Sequence, residues 1–249
     1  MTYLFCLSFP ICVLLLAFFF FSFANVERIP LHFLKRILMV EHIEKSKLDT
    51  NVRYRFDYIS KFINFTSEDI NALNILAAAA LPRIPVIVDG VYRKLFQCDV
   101  TKNYFVIQNE KFDGSTVTKD ELSLDSAQMV YRKDMLSGYL KRLLLQREWT
   151  DEFLEYLSRV GRMHTNKMGA SSIDVDYIHI NATLTYIENL LTEVIFSHEK
   201  FDDQMRKNIS LALNKVFRIQ SDLFLMHYLE PSTNRIATSA HKHEKCTCS

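Results

Sequence analysis

Glycine and proline are scarce, five of each in 249 residues, too few to punctuate a chain of many strands and tight turns. A field of one sign is missing too. The formal net charge of +1 would attract neither nucleic acid nor acidic substrates, and no basic patch interleaved with aromatics occurs. The five cysteines are scattered as Cys6, Cys12, Cys98, Cys246 and Cys248, which excludes a disulfide framework and a CxxC zinc pair. A reducing compartment suits the folded part. Glycine-rich phosphate loops, a GxSxG elbow, HExxH and a flavin or nicotinamide signature are all absent, and no acidic pair stands out as general acid and base.

What is present is a chain with 49% hydrophobic and 24% charged residues, the composition of long packed helices forming one good-sized core with appendages. Residues 1–26 carry no charged side chain, and Val13 to Phe21 is wholly aliphatic or aromatic. This leader is long enough to cross a bilayer, and a transmembrane anchor is the first expectation. A cleaved signal peptide ending near Ser22-Phe23-Ala24 is the lesser one, since a basic start is missing. Arg28, Lys35 and Arg36 follow the leader and by the positive-inside rule place the remainder in the cytoplasm. An incorrectly assigned start codon, leaving a cytoplasmic protein, is a third option. Residues 27–50 read as an amphipathic connector, with Ile29, Leu31, Phe33, Leu34, Ile37 and Leu38 among basic residues. The compact domain is expected over residues 51–230, and residues 231–249 as a disordered polar tail. Cys246 has the position of a prenylated cysteine, but Thr247 and Cys248 replace the usual aliphatic pair, which favours chance.

Apolar spacing predicts at least six helices between residues 51 and 230. A short one spans Tyr54 to Ile63. The capping box Thr66-Ser-Glu-Asp69 opens another, which runs through Leu73 and Leu76 to Leu81, where Pro82 should stop it. Pro85 suits the first turn of the next, whose stripe is Ile84, Ile87, Val88, Val91, Tyr92, Leu95 and Phe96. Residues 98–122 read as irregular, with a turn at Asp113-Gly114-Ser115 and a strand over Tyr104 to Ile107 left open. A helix from Asp125 to Gln146 shows two apolar faces, Met129, Leu136, Leu140 and Leu143 against Tyr131, Met135 and Tyr139, which suggests that it is covered on both sides. The next carries His164. Helices over Asp176 to Ser197 and Phe201 to Leu229 complete the set.

Two buried polar residues stand out. Along the stripe Phe153, Tyr156, Leu157, Val160 and Gly161 the next position is His164, so its imidazole points inward. Gly161, one turn earlier, leaves room for a flat bulky group or another backbone. A histidine on an apolar face is more often a core residue satisfied by one hydrogen bond than an axial metal ligand. Tyr92 lies on its own helix's buried stripe, and its hydroxyl needs a partner, ordinarily a backbone carbonyl.

The run Val160-Gly-Arg-Met-His-Thr165, then Val175-Asp-Tyr-Ile-His179, resembles the globin-sensor or protoglobin family, especially its fungal members. Phe62-Ile-Asn-Phe-Thr-Ser-Glu-Asp69, Val91-Tyr92-Arg-Lys-Leu-Phe96, Arg132-Lys133 and Asn214-Lys-Val-Phe-Arg-Ile-Gln220 with His227-Tyr228 extend the match over about residues 51–230. The resemblance implies an all-α globin fold with an additional N-terminal helix, holding haem b. It puts the iron's proximal ligand on His164 and the gas-contacting distal hydroxyl on Tyr92, beside Val91. Met135 stands where the family commonly has phenylalanine on the distal helix, and Phe217 where fungal relatives frequently have tryptophan. Gly161, Leu184 and Ile187 complete the expected cofactor contacts.

The function so implied is reversible binding of O2, CO or NO by a membrane-tethered sensor or ligand store. Too few residues follow Leu229 here for a kinase, cyclase or methyl-accepting module, so a signal would pass through the leader, a homodimer or an output partner. The alternatives are a haem-dependent NO dioxygenase or peroxidase, which needs a reductase partner or a distal acid and base, and a haem-free helical scaffold.

Overall fold

A computed structural model describes residues 40–106, 121–168 and 173–229. The chain divides into Met1–Glu44 and Lys45–Ser249. Of the first unit only residues 40–44 are described, without helix or strand. The leader, the Asp113-Gly114-Ser115 turn and the polar tail with Cys246 lie outside the described residues.

Among its described residues the second unit is built of helices joined by turns and loops. It opens with a short helix inside the expected connector, α1 (Lys45–Thr50), none of whose residues is buried. Asn51 then caps α2 (Val52–Ile63), its side-chain oxygen accepting the Tyr54 N–H at 2.9 Å. Thr66 opens α3 (Ser67–Ala80) with the expected reciprocal box: its hydroxyl accepts the Glu68 N–H, and the Asp69 carboxylate accepts the Thr66 N–H at 2.8 Å. Lys215 reaches across to Asp69 at 2.9 Å and to the Asn64 carbonyl at 2.7 Å, so one buried carboxylate starts a helix and ties it to the last one.

Pro82 does not end the helical path. It sits in a 3-10 turn, Leu81–Arg83, where its missing N–H is no loss, and the chain runs on into α4 (Ile84–Leu95). Among the described residues, Ser67–Leu95 is the one helical stretch long and apolar enough to span a membrane, with half of its apolar window buried. Leu73, Leu76, Ile84, Val88 and Val91 are nearly inaccessible, so the stretch forms core packing.

Residues 98–106 depart from the expected irregular run. They hold a short helix, α5 (Asp99–Asn103), and Tyr104–Val106 form turns in place of a strand. In α6 (Ala127–Leu145) only one face is fully covered, by Met129, Leu140 and Leu143; of the other, Tyr139 is buried but Met135 is 40% exposed. That face borders open space and not a second packing partner.

The helix expected to carry His164, α7 (Asp151–Arg162), stops before it. The Met163 N–H still reaches the Arg159 carbonyl, whereas His164 and Thr165 donate to Gly161 and Arg162, three residues back, tightening the last turn. The loop then doubles back: Ile173 and Val175 donate to the Met163 and His164 carbonyls at 2.9 and 3.1 Å, and Thr165 bridges Asp174. Pairing with the returning chain wins over continuing the helix.

Two long helices close the domain, α8 (Tyr177–Ser197) and α9 (Asp203–Leu229). Ile209, Leu213, Val216, Phe217, Leu223 and Phe224 make α9 the central element, packed on α2, α3, α7 and α8. Phe217 is fully buried there. At the crossing with α7 a methyl on Gly161 would lie 3.0 Å from the Phe224 Cα and 3.2 Å from the Leu223 carbonyl oxygen. Gly161→Ala should therefore force two backbones apart, at a cost of about 1–3 kcal/mol. Gly138→Ala on α6, where nothing lies within 4 Å, should be neutral or stabilising by up to about 1 kcal/mol. Urea unfolding of the two variants measures the contrast.

Candidate functional site

A cavity of about 370 Å³ lies among α4, α6, α7, the loop after α7, α8 and α9, within the size range of cofactor pockets. Three helices present the same spacing to it. From α6 come Arg132, Met135, Leu136 and Tyr139, from α7 and its cap Tyr156, Arg159, Val160 and Met163, and from α8 Ile180, Thr183, Leu184 and Ile187. Each set is the i, i+3, i+4, i+7 stripe of one helical face. Tyr92 contributes from α4, His164 and Ile173 from the loop, and Phe224 from α9.

His164 sits one residue beyond the α7 cap with its Nδ1 at 2.7 Å from the Val160 carbonyl. A carbonyl only accepts, so Nδ1 carries the proton and the Nε2 lone pair is left at the cavity wall. Its ring packs against Phe224, centroids 5.3 Å apart. The imidazole is surrounded by protein yet half-accessible, because the surface it shows is cavity wall. Burial pushes its pKa below the usual histidine value; the Val160 bond partly opposes this and the nearby Arg132 charge adds to it.

The loop's backbone is held from α9. The Tyr228 hydroxyl donates to the His164 carbonyl at 3.1 Å and to the Val175 carbonyl at 2.6 Å, and its ring meets Tyr177 edge-on at 5.2 Å. Lys167 donates to the His227 carbonyl, and His227 pairs with the buried Ser158 hydroxyl at 2.9 Å. These contacts clamp the segment on both sides of the imidazole.

From α4 the buried Tyr92 hydroxyl donates to the Arg132 carbonyl at 2.9 Å, and burial pushes its pKa up to about 12. It therefore stays protonated. The Arg132 guanidinium lies over Phe105 at 5.4 Å, and burial lowers its pKa. Tyr139 also lines the wall, and its buried hydroxyl has no partner among the described residues.

Of the residues picked from sequence, His164, Tyr92, Met135, Leu184 and Ile187 meet at this cavity. Val91 and Gly161 do not line it. Val91 is 1% exposed in the helix core, and the space beside Gly161 is filled by the α9 backbone. Met135 lies at the rim, 40% exposed. Arg132, Tyr139, Tyr156, Arg159, Thr183 and Phe224 were missed as site residues. The repeated stripe spacing carried a signal for those on α6, α7 and α8; nothing local marked Tyr228 as the anchor of the His164 loop.

The Protoglobin family model matches residues 52–234. The chain belongs to the protoglobin family. Among solved structures, the globin domain of the Geobacter sulfurreducens globin-coupled sensor is similar, with a TM-score of 0.56 and 17% identity over 70% of this chain and 97% of that one. No curated protein matches the sequence. This protoglobin thus has the globin fold, and its family implies haem as the cofactor. The cavity suits that group: an apolar wall from α8 and Phe224, one imidazole with a free Nε2, and a buried tyrosine hydroxyl in want of a partner.

Two outcomes are expected. A group whose folded pKa is depressed below its ordinary value near 6.5 takes up a proton less readily folded than unfolded, so stability is present above that value and falls as pH drops toward the folded pKa. His164→Leu should flatten this part of the Tm-versus-pH curve of the haem-free protein. Tyr228→Phe removes the one hydroxyl proton that the two carbonyls share and should cost about 1–2 kcal/mol. Hydrogen exchange at the Ile173 and Val175 amides should quicken, which NMR would register.

Proposed function

We propose that this protoglobin binds haem b through His164 Nε2 and reversibly takes up a diatomic gas, O2, CO or NO, as a sensor or ligand store. The carrying observation is the His164 hydrogen bond to Val160, which fixes the tautomer and aims the ring. Haem, when bound, would supply the iron at which a diatomic gas is taken up. The protein's own contribution is to present a neutral imidazole, the neutral Tyr92 hydroxyl and apolar walls that limit water.

The Tyr92 proton is committed to the Arg132 carbonyl, so contact with a polar gas means trading one acceptor for another. That exchange suits a reversible site: the gas gains a donor, while the Tyr92 hydroxyl stays satisfied when no gas is bound. Leu184 and Ile187 pack the α8 wall, and Met135 on the rim can adapt its thioether to ligand size. Tethering through residues 1–26 rests on the uncharged apolar leader, and an output partner or second copy would carry the signal onward.

The ultraviolet-visible spectrum of the purified full chain tests this reading. A Soret band should appear with haem, shift with CO, vanish in His164→Ala and return when imidazole is added. Folded protein without a Soret band, after haem is supplied, would refute the proposal. Tyr92→Phe should release O2 about fivefold faster, the loss of one hydrogen bond of about 1 kcal/mol, with CO release little changed in flash photolysis.

A further inference from the structure

Resting on the haem reading, we propose that Tyr228 is a positioning residue for the iron ligand: through the carbonyls of the His164 loop it keeps the imidazole on the iron, so that NO is bound without displacing His164.

NO is the diatomic gas that most tests such a mount. On ferrous haem it places an unpaired electron in an orbital antibonding along the iron–ligand axis, and the bond opposite weakens. Whether the imidazole then leaves depends on where the protein lets it go. His164 has little freedom. Its N–H donates to the Gly161 carbonyl at 3.1 Å, and its carbonyl accepts the Val175 N–H and the Tyr228 hydroxyl, each at 3.1 Å. Its Nδ1 donates to the Val160 carbonyl at 2.7 Å, and Phe224 packs on the ring. Of its polar atoms only Nε2 is uncommitted. An imidazole mounted in this way stays within reach when its bond to iron opens, so recapture competes with release.

Tyr228 is the part of the mount that comes from far away in the chain, 64 residues from His164, at the end of α9. Its shorter bond, 2.6 Å, goes to the carbonyl of Val175, the residue whose N–H holds the His164 carbonyl. One hydroxyl thus ties both sides of the returning loop to the helix that also supplies Phe224. The Tyr228 ring is seated in turn edge-on to Tyr177 at 5.2 Å. Tyr228→Phe keeps that ring and removes the tie, which frees the loop to draw Nε2 back from the cavity.

Electron paramagnetic resonance of the ferrous NO adduct tests this in the full chain, comparing wild type with Tyr228→Phe and Tyr177→Phe. Circular dichroism confirms folding and the Soret band confirms haem loading. Tyr177→Phe removes a hydroxyl that meets Ser221 at 2.9 Å, from the same ring pair, without touching the loop carbonyls. An imidazole opposite NO adds a nitrogen splitting to the signal, and its release removes that splitting. Among the described residues His164 is the one histidine on the cavity wall, so the splitting reports on it. Wild type and Tyr177→Phe should both show it. In Tyr228→Phe the ratio of adduct without the splitting to adduct with it should rise about fivefold, the worth of one hydrogen bond. A haem-loaded wild type without the splitting, a Tyr228→Phe signal like that of wild type, or an equal rise in both variants would overturn the positioning role and leave haem binding standing. Folded protein that takes up no haem would overturn both.

Discussion

The contact on which the site depends is the backbone crossing of α7 over α9 at Gly161. A Cβ there would be 3.0 Å from the Phe224 Cα, so the two helix axes can approach this closely only because the side chain is absent. Everything that seats His164 is built within a turn or two of that point. Phe224 itself supplies the ring against the imidazole, Ser158 and His227 pair across the crossing, and Tyr228 reaches the loop carbonyls. Separating the helices would loosen all three together, because each contact spans the same α7–α9 interface.

From that crossing the geometry of the cavity follows. With α7 pressed on α9, its opposite stripe of Tyr156, Arg159, Val160 and Met163 must face away, toward α6. The α6 face expected to be covered then has no helix against it, which is why Met135 remains 40% exposed while Leu140 and Leu143 on the other face are buried. The cavity is the space between helices held apart by their other contacts: α6 by packing on α4 and α3, α7 by packing on α9. Each of its three long walls repeats the spacing of a helix that would normally be closing a core.

Much of this was legible in the residues. Caps, proline positions and apolar periodicity gave each long helix to within a few residues, because those signals are local. The odd positions His164 and Tyr92 were conspicuous for the same reason: polar groups on apolar stripes. Errors arose where a partner distant in sequence decided the outcome. The α7 helix stops at Arg162 because the returning chain at Ile173 and Val175 bonds the Met163 and His164 carbonyls, a pairing no window around His164 reveals. Val91 seemed a cofactor neighbour because it adjoins Tyr92, yet adjacent helical residues point about 100° apart, and here Val91 turns into the core while Tyr92 reaches the cavity. Gly161 did mark a close approach, and of the two neighbours expected there, a flat group or another backbone, it is the α9 backbone.

A packed core would not tolerate this polar content. Tyr139 has a buried hydroxyl without a partner among the described residues, and His164 keeps its Nε2 free, both departures from the rule that buried polar groups are satisfied. Sequences that fold cooperatively violate such rules sparingly, and where several violations share one cavity the simplest physical account is a missing partner common to them all. Tyr92 refines that account. Its hydroxyl is buried at the same cavity but satisfied by the Arg132 carbonyl, and it is the group assigned to a ligand that comes and goes. Groups without a partner are those expected to face a resident cofactor, whereas the group facing a transient ligand needs an acceptor for the intervals between visits.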